Sequence, residues 1–132
     1  MSTHATGRFK VQGWDERTYR EIEGGRKLTQ ASVRQEFEGD IEGAGAVEWL
    51  MCYREDDTAD FVGLQHVEGR IGDRSGSFVL QNAGTFDGSA AKGRWSVVPG
   101  SGTGELRGLR GEGEFTAPLG GEPSISLDYD FE

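Results

Sequence analysis

Apolar and polar residues alternate along most of this chain, and that period of two predicts strands. In Thr6–Trp14, Phe9 and Val11 share one side while Arg8, Lys10 and Gln12 take the other. Lys27–Phe37 repeats the pattern with Ala31, Val33 and Phe37, and Gly39–Asp40 then reads as a two-residue hairpin turn. A third strand runs from Ile41 to Arg54 and ends at the turn EDDT. The stretch from Phe61 to Val98 reads as three strands joined by turns at Asp73–Arg74 and Asp87–Gly88. After a Gly-rich connection, PGSGTGELRG, come strands over Leu109–Ala117 and Ser124–Phe131. The polar segment 15–25, anchored only by Tyr19 and Ile22, reads as a loop. Eight successive strands with no helix long enough to cover a sheet predict an all-β fold, an eight-stranded antiparallel up-and-down barrel spanning residues 1–132 as a single domain. Closure leaves no free edge, and eight strands enclose either packed side chains or one small ligand.

The turns set the expected register, and the register decides which residues face inward. Asp73–Arg74 pairs Gly72 with Ser75, hence Gln65 with Asn82, Gly63 with Gly84 and Phe61 with Phe86. Asp87–Gly88 brings Asn82 to Gly93 and Leu80 to Trp95. Gly39–Asp40 and a four-residue loop at 55–58 bring Glu48 beside Gln65. The expected lumen is therefore a row of Glu48, Gln65 and Asn82 among Leu50, Cys52, Phe61, Phe78, Leu80, Phe86, Trp95 and Tyr129. Glycines 63, 69, 84 and 93 would thin the wall and leave room inside. The same register leaves Trp49, Met51 and Tyr53 outside with Val47, Val62, Leu64 and Val79, an apolar stripe that predicts a homo-oligomer interface. A three-residue loop at 55–58 would instead turn Trp49, Met51 and Tyr53 inward.

Composition narrows the function classes. The 132 residues are 34% apolar and carry a net charge of −9, which disfavours nucleic acid and anionic membranes as partners. With one cysteine and two histidines, the chain offers neither an internal disulfide nor a Cys/His zinc site, and no metal or cofactor is expected. No apolar run is long enough to span a membrane and no signal peptide is visible, so a cytoplasmic location is expected. GSGTG at 100–104 lacks the Lys-Ser/Thr of a phosphate loop and reads as a Gly-rich turn. His66 faces away from Cys52 in this register, which gives the thiol no base.

FVGLQHVEGRIGDRSGSFVLQNAGTF, VVPGSGTGEL and the ending LDYDF resemble an uncharacterised bacterial family of small domains of unknown function, one grouped with allene oxide cyclase-like β-barrels. The resemblance runs from ATGRF at 5–9 to LDYDF at 127–131. It implies an eight-stranded barrel and an oligomer, and it supplies no established activity. Members often carry Glu at the position of Gln65 and His at that of Asn82. Two amides here can exchange hydrogen bonds but cannot move protons.

The expected function is binding of a small apolar molecule in the lumen. By resemblance, that extends to cyclisation or isomerisation, with Glu48 as candidate acid–base and Gln65 and Asn82 orienting the substrate. Two alternatives stand beside it: a non-catalytic carrier or sensor of lipocalin type, and a filled barrel that works through its outer surface.

Overall fold

The computed structural model describes residues 2–132 and forms the expected closed antiparallel barrel of eight strands in sequence order. The strands are β1 (Thr3–Glu21), β2 (Lys27–Gly39), β3 (Ile41–Tyr53), β4 (Ala59–Ile71), β5 (Arg74–Phe86), β6 (Ala90–Val97), β7 (Leu109–Pro118) and β8 (Ser124–Phe131). β1 closes the ring by pairing with β8 from Thr3↔Tyr129 to Arg8↔Ser124. Two short 3-10 turns, Glu23–Gly25 and Gly104–Leu106, are the helical content among the described residues, and neither is long and apolar enough to cross a membrane.

Segment 15–25 is mostly strand, where a loop was expected. β1 continues to Glu21 because bulges between Val11 and Gly13 and between Thr18 and Arg20 let it keep pairing with β2. Each bulge inserts a residue and flips the inward set, which erases the period of two in the sequence. After the first bulge Trp14 pairs with Val33 and Glu16 with Ala31, both inward-facing residues of β2.

The β2–β3 hairpin differs from expectation by one residue. Ala31 pairs with Trp49 and Ser32 with Glu48. Asp40 does not serve as half of a simple hairpin turn: its N–H donates to Thr6 O at 2.9 Å, and its carbonyl accepts from Gly72 N–H at 2.9 Å. At the other end of β3, Tyr53 pairs with Ala59 across a five-residue loop whose Asp57 has φ +67°. A one-residue slip exchanges the two faces of a strand. Val47, Trp49, Met51 and Tyr53 therefore point inward, and the interface expected of Trp49, Met51 and Tyr53 is withdrawn. Glu48, Leu50 and Cys52 point outward, so the lumenal acid Glu48 and the ligand-wall roles of Leu50 and Cys52 are withdrawn too. Glu48 Oε1 accepts hydrogen bonds from Gln30 Nε2 and Ser32 Oγ on the outer surface. The apolar residues that do face outward nearby are Leu50, Val62 and Leu64, each about half exposed.

β4–β5 and β5–β6 keep the expected faces but slide by two residues. Gln65 pairs with Leu80, Gly63 with Asn82 and Phe61 with Gly84. Asn82 then pairs with Trp95 rather than Gly93. In the resulting registers Trp49 lies opposite Gly63, Phe61 opposite Gly84 and Phe115 opposite Gly93. A Cβ added at these glycines would lie 2.8, 2.7 and 2.5 Å from the facing ring. The glycines are thus seats for aromatic rings, and the space expected above them is filled.

The two ends of the barrel differ. The Gly-rich connection after β6 runs beside β5 as a substitute edge. Thr103 N–H donates to Ser77 O at 2.9 Å, Ser77 N–H to Thr103 Oγ1 at 3.0 Å, and Val79 N–H to Ser101 Oγ at 3.0 Å. This carries Leu106, fully buried, into the core cluster that also holds Ile41, Ile71, Phe78 and Leu109. One end is closed in this way. Truncating Leu106 removes its burial and leaves a void, so Leu106→Ala is expected to cost about 2–5 kcal/mol of unfolding free energy in denaturant titration. A loss below ~1 kcal/mol would show that Leu106 is not a plug.

Candidate functional site

The other end opens as a cup of about 270 Å³. Its wall is built from Phe9, Val11 and Trp14 of β1, Trp49, Met51 and Tyr53 of β3, Phe61 of β4, Phe86 of β5, Ala91 of β6 and Phe115 and Ala117 of β7. Val11 and Trp14, half exposed, mark the rim, while Gln35 of β2, 7% exposed, belongs to the floor. The rings pack edge-on or tilted. Centroid separations are 4.8 Å for Trp49–Phe61, 6.1 Å for Phe61–Phe115 and 5.4 Å for Trp95–Phe115. Such pairs add ~0.5–1.5 kcal/mol each beyond their burial, so this wall is a stiff one.

A carboxylate fastens the rim. Glu16 Oε2 accepts from Thr29 Oγ1 at 2.7 Å and Tyr53 Oη at 2.8 Å, and Glu16 Oε1 accepts from Trp14 Nε1 at 3.0 Å. Burial alone would raise the Glu16 pKa. The hydrogen bonds from Thr29, Tyr53 and Trp14, together with the charge of Lys27, outweigh it and hold the carboxyl below its ordinary value. Burial, then the hydrogen bond to Glu16 and its negative charge, push the Tyr53 hydroxyl up to about 12. Lys27 Nζ lies 5.1 Å from the centre of the Tyr53 ring. Near neutral pH the rim therefore carries one ionised acid and one protonated phenol.

Beneath the rings lies a layer of amides. Gln65, 1% exposed, donates from Nε2 to Gln35 Oε1 at 2.6 Å. Asn82, 2% exposed, donates from Nδ2 to Leu80 O at 3.4 Å, and its Oδ1 has no partner. Trp95 Nε1 donates to Ser126 O at 2.9 Å.

Of the residues expected at the site, Phe61 and Phe86 line the cup. Gln65, Asn82, Phe78, Leu80 and Trp95 face inward as expected but belong to the packed interior below it. Tyr129 is inward and half-buried, packed against Phe131 at 6.0 Å. Gln65 and Asn82 do not form a row with Glu48, which is outside. Sequence reasoning missed Glu16, Thr29, Gln35 and Trp14, and held the inward placement of Trp49, Met51 and Tyr53 only as the alternative to the preferred register. A usable signal was present in three glycines: matching Gly63, Gly84 and Gly93 to aromatic partners selects the observed registers, whereas the turn count placed Gly63 against Gly84.

Fold and cup together define a closed antiparallel barrel with one plugged end and one aromatic-lined mouth. Residues 5–129 match a family described as protein of unknown function, DUF3224, and the chain belongs to that family. The crystal structure of a protein of unknown function from the same family, from Shewanella oneidensis MR-1, is similar with a TM-score of 0.86. It is 30% identical, over 100% of this chain and 99% of that one. No curated protein matches.

Two outcomes follow from the site's electrostatics. Tyr53 has a raised folded pKa, so its contribution to stability is intact below the ordinary phenol value and is lost as pH rises through about 12. The difference in phenolate absorbance between wild type and Tyr53→Phe should titrate near 12, and a midpoint near ~10 would break the Tyr53–Glu16 pair. Asn82 carries an unmet acceptor, which costs ~1–3 kcal/mol when buried. Asn82→Leu, of similar size, should leave unfolding free energy unchanged or raise it; a loss above ~1 kcal/mol would mean the amide holds bonds absent from this structure.

Proposed function

We propose that this protein binds a small, mostly apolar molecule in the cup at the open end of its barrel, as a carrier or sensor. The observation that carries the reading is the contrast between the ends: one is closed by Leu106, while the other keeps an apolar cavity of about 270 Å³ under half-exposed rim residues. A dry cavity of ~150 Å³ takes benzene, so this one suits a molecule of one or two rings. Sites of this kind are typically apolar with a few placed polar groups.

The polar inventory favours binding over acid–base catalysis. A general base works best with a pKa near the working pH. Glu16 is held below the ordinary carboxylate range, and Tyr53 keeps its proton to about 12. Gln35 can only exchange hydrogen bonds. Cyclisation or isomerisation in the cup would rest on shape alone.

Trp14 and Trp49 line the cup and report on it directly. Titration with naphthalene should quench their fluorescence to saturation. The double variant Ala91→Phe/Ala117→Phe, which fills the cup from β6 and β7, should abolish the saturable part. Equal, unsaturable quenching in both proteins would overturn the reading.

A further inference from the structure

The floor of the cup says what the molecule carries at its inner end. Gln35 Oε1 accepts from Gln65 Nε2 at 2.6 Å, which leaves Gln35 Nε2 turned to the cup. The other end of the amide, Gln35 Nε2, makes no hydrogen bond to the described residues and stays accessible from the cup, which the side chain lines. A bound acceptor would take the place of water on this N–H, inside an otherwise apolar wall. We infer, building on the binding reading above, that the occupant is a neutral aromatic carbonyl compound. Its ring lies among Trp49, Phe61 and Phe115, and its oxygen accepts from Gln35 Nε2.

Neutrality follows from the charges. No Lys or Arg lines the cup, and the nearest rim cation, Lys27 beside the Tyr53 ring, is already matched by the charge of Glu16. The ionised Glu16 is bonded to the hydroxyl of Tyr53, a wall residue, and repels a carboxylate entering past the rim. Protein of net charge −9 adds to that repulsion. The Gln35 amide supplies a donor where a carbonyl needs one, and a site built around such a donor discriminates against analogues that lack the acceptor.

The experiment is a cycle of two ligands and two proteins. The ligands are 2-acetylnaphthalene and 2-isopropylnaphthalene, which share a shape and differ in the oxygen. The proteins are wild type and Gln35→Met, with a thermal melt to show that the variant is folded. The affinity ratio of ketone to hydrocarbon should fall about tenfold in Gln35→Met, the loss of one buried hydrogen bond. An unchanged ratio overturns the inference while leaving the binding reading standing. Failure of both ligands to bind wild type overturns the binding reading itself. A readout on wild type alone guards against a variant that does not fold. The carbonyl stretch of the bound ketone should move to lower frequency, as in a hydrogen-bonding solvent, and a stretch like that in hexane overturns the inference. 2-Naphthoate should bind more weakly than the ketone, and equal binding overturns the requirement for neutrality.

Discussion

The interior of this barrel depends on seating aromatic rings over glycines of the next strand. Trp49 rests on Gly63, Phe61 on Gly84 and Phe115 on Gly93, while Phe37 crowds the space over Gly45. An eight-stranded barrel is narrow, and six large rings on inward positions would collide if every facing residue carried a Cβ. Placing glycine beneath Trp49, Phe61, Phe115 and Phe37 lets those four lie against backbone. Phe9, Phe37, Trp95, Phe115, Phe61 and Trp49 then form one continuous chain of contacts, with centroid separations from 4.8 to 6.3 Å. The device also fixes register. Sliding β4 by two residues against β5 would keep every side chain on its face but set Gly63 against Gly84 and Phe61 against Phe86, which leaves a void in one layer and a clash in the next.

That constraint explains why the ends diverge. The glycine-seated rings occupy the middle and upper layers, where they stiffen a wall but leave a mouth. The lower layers pack one ring, Phe78, among the branched residues Ile41, Ile71, Leu80 and Leu109, and the connection after β6 folds Leu106 in among them. Between the two regions sit the amides of Gln35, Gln65 and Asn82. Gln65 Nε2 and Gln35 Oε1 pair with each other at 2.6 Å, Asn82 Nδ2 donates to Leu80 O, and Asn82 Oδ1 is orphaned. Stability alone would favour apolar residues at such positions. Of the three amides, Gln35 alone lines the cup, and Gln65 and Asn82 lie in the packed interior beneath it.

The architecture was legible in the sequence because barrel parity needs only alternation, and alternation is clear in every strand but two. β1 hides its second half behind two bulges, each of which reverses the inward set. β3 is ambiguous because both faces carry apolar residues: Trp49, Met51 and Tyr53 on one, Leu50 and Cys52 on the other. Only the hairpin geometry decides between them, and Asp40 is held by Thr6 of β1 and by Gly72 in the β4–β5 turn, contacts that no local turn rule contains. These two strands supply much of the cup, including Trp14, Trp49, Met51 and Tyr53. The fold could thus be read correctly while the acid was assigned to Glu48 instead of Glu16.

Glu16 itself reads more naturally as a clamp than as a catalyst. Its two oxygens collect donors from β1, β2 and β3. The carboxylate thereby ties the bulged end of β1 to the strands it overlies and holds the Trp14 indole on the rim. Three donors on one carboxylate leave little basicity for a substrate and lower the cost of keeping the charge half-buried. A rim fixed in this way is ordered before any ligand arrives. That matters for a cup of this size, because a molecule of one or two rings has too few atoms to offset the entropy of ordering a loose site. As pH falls through the depressed pKa of Glu16 the clamp loses its charge, and both the stability it contributes and the order of the mouth should weaken together.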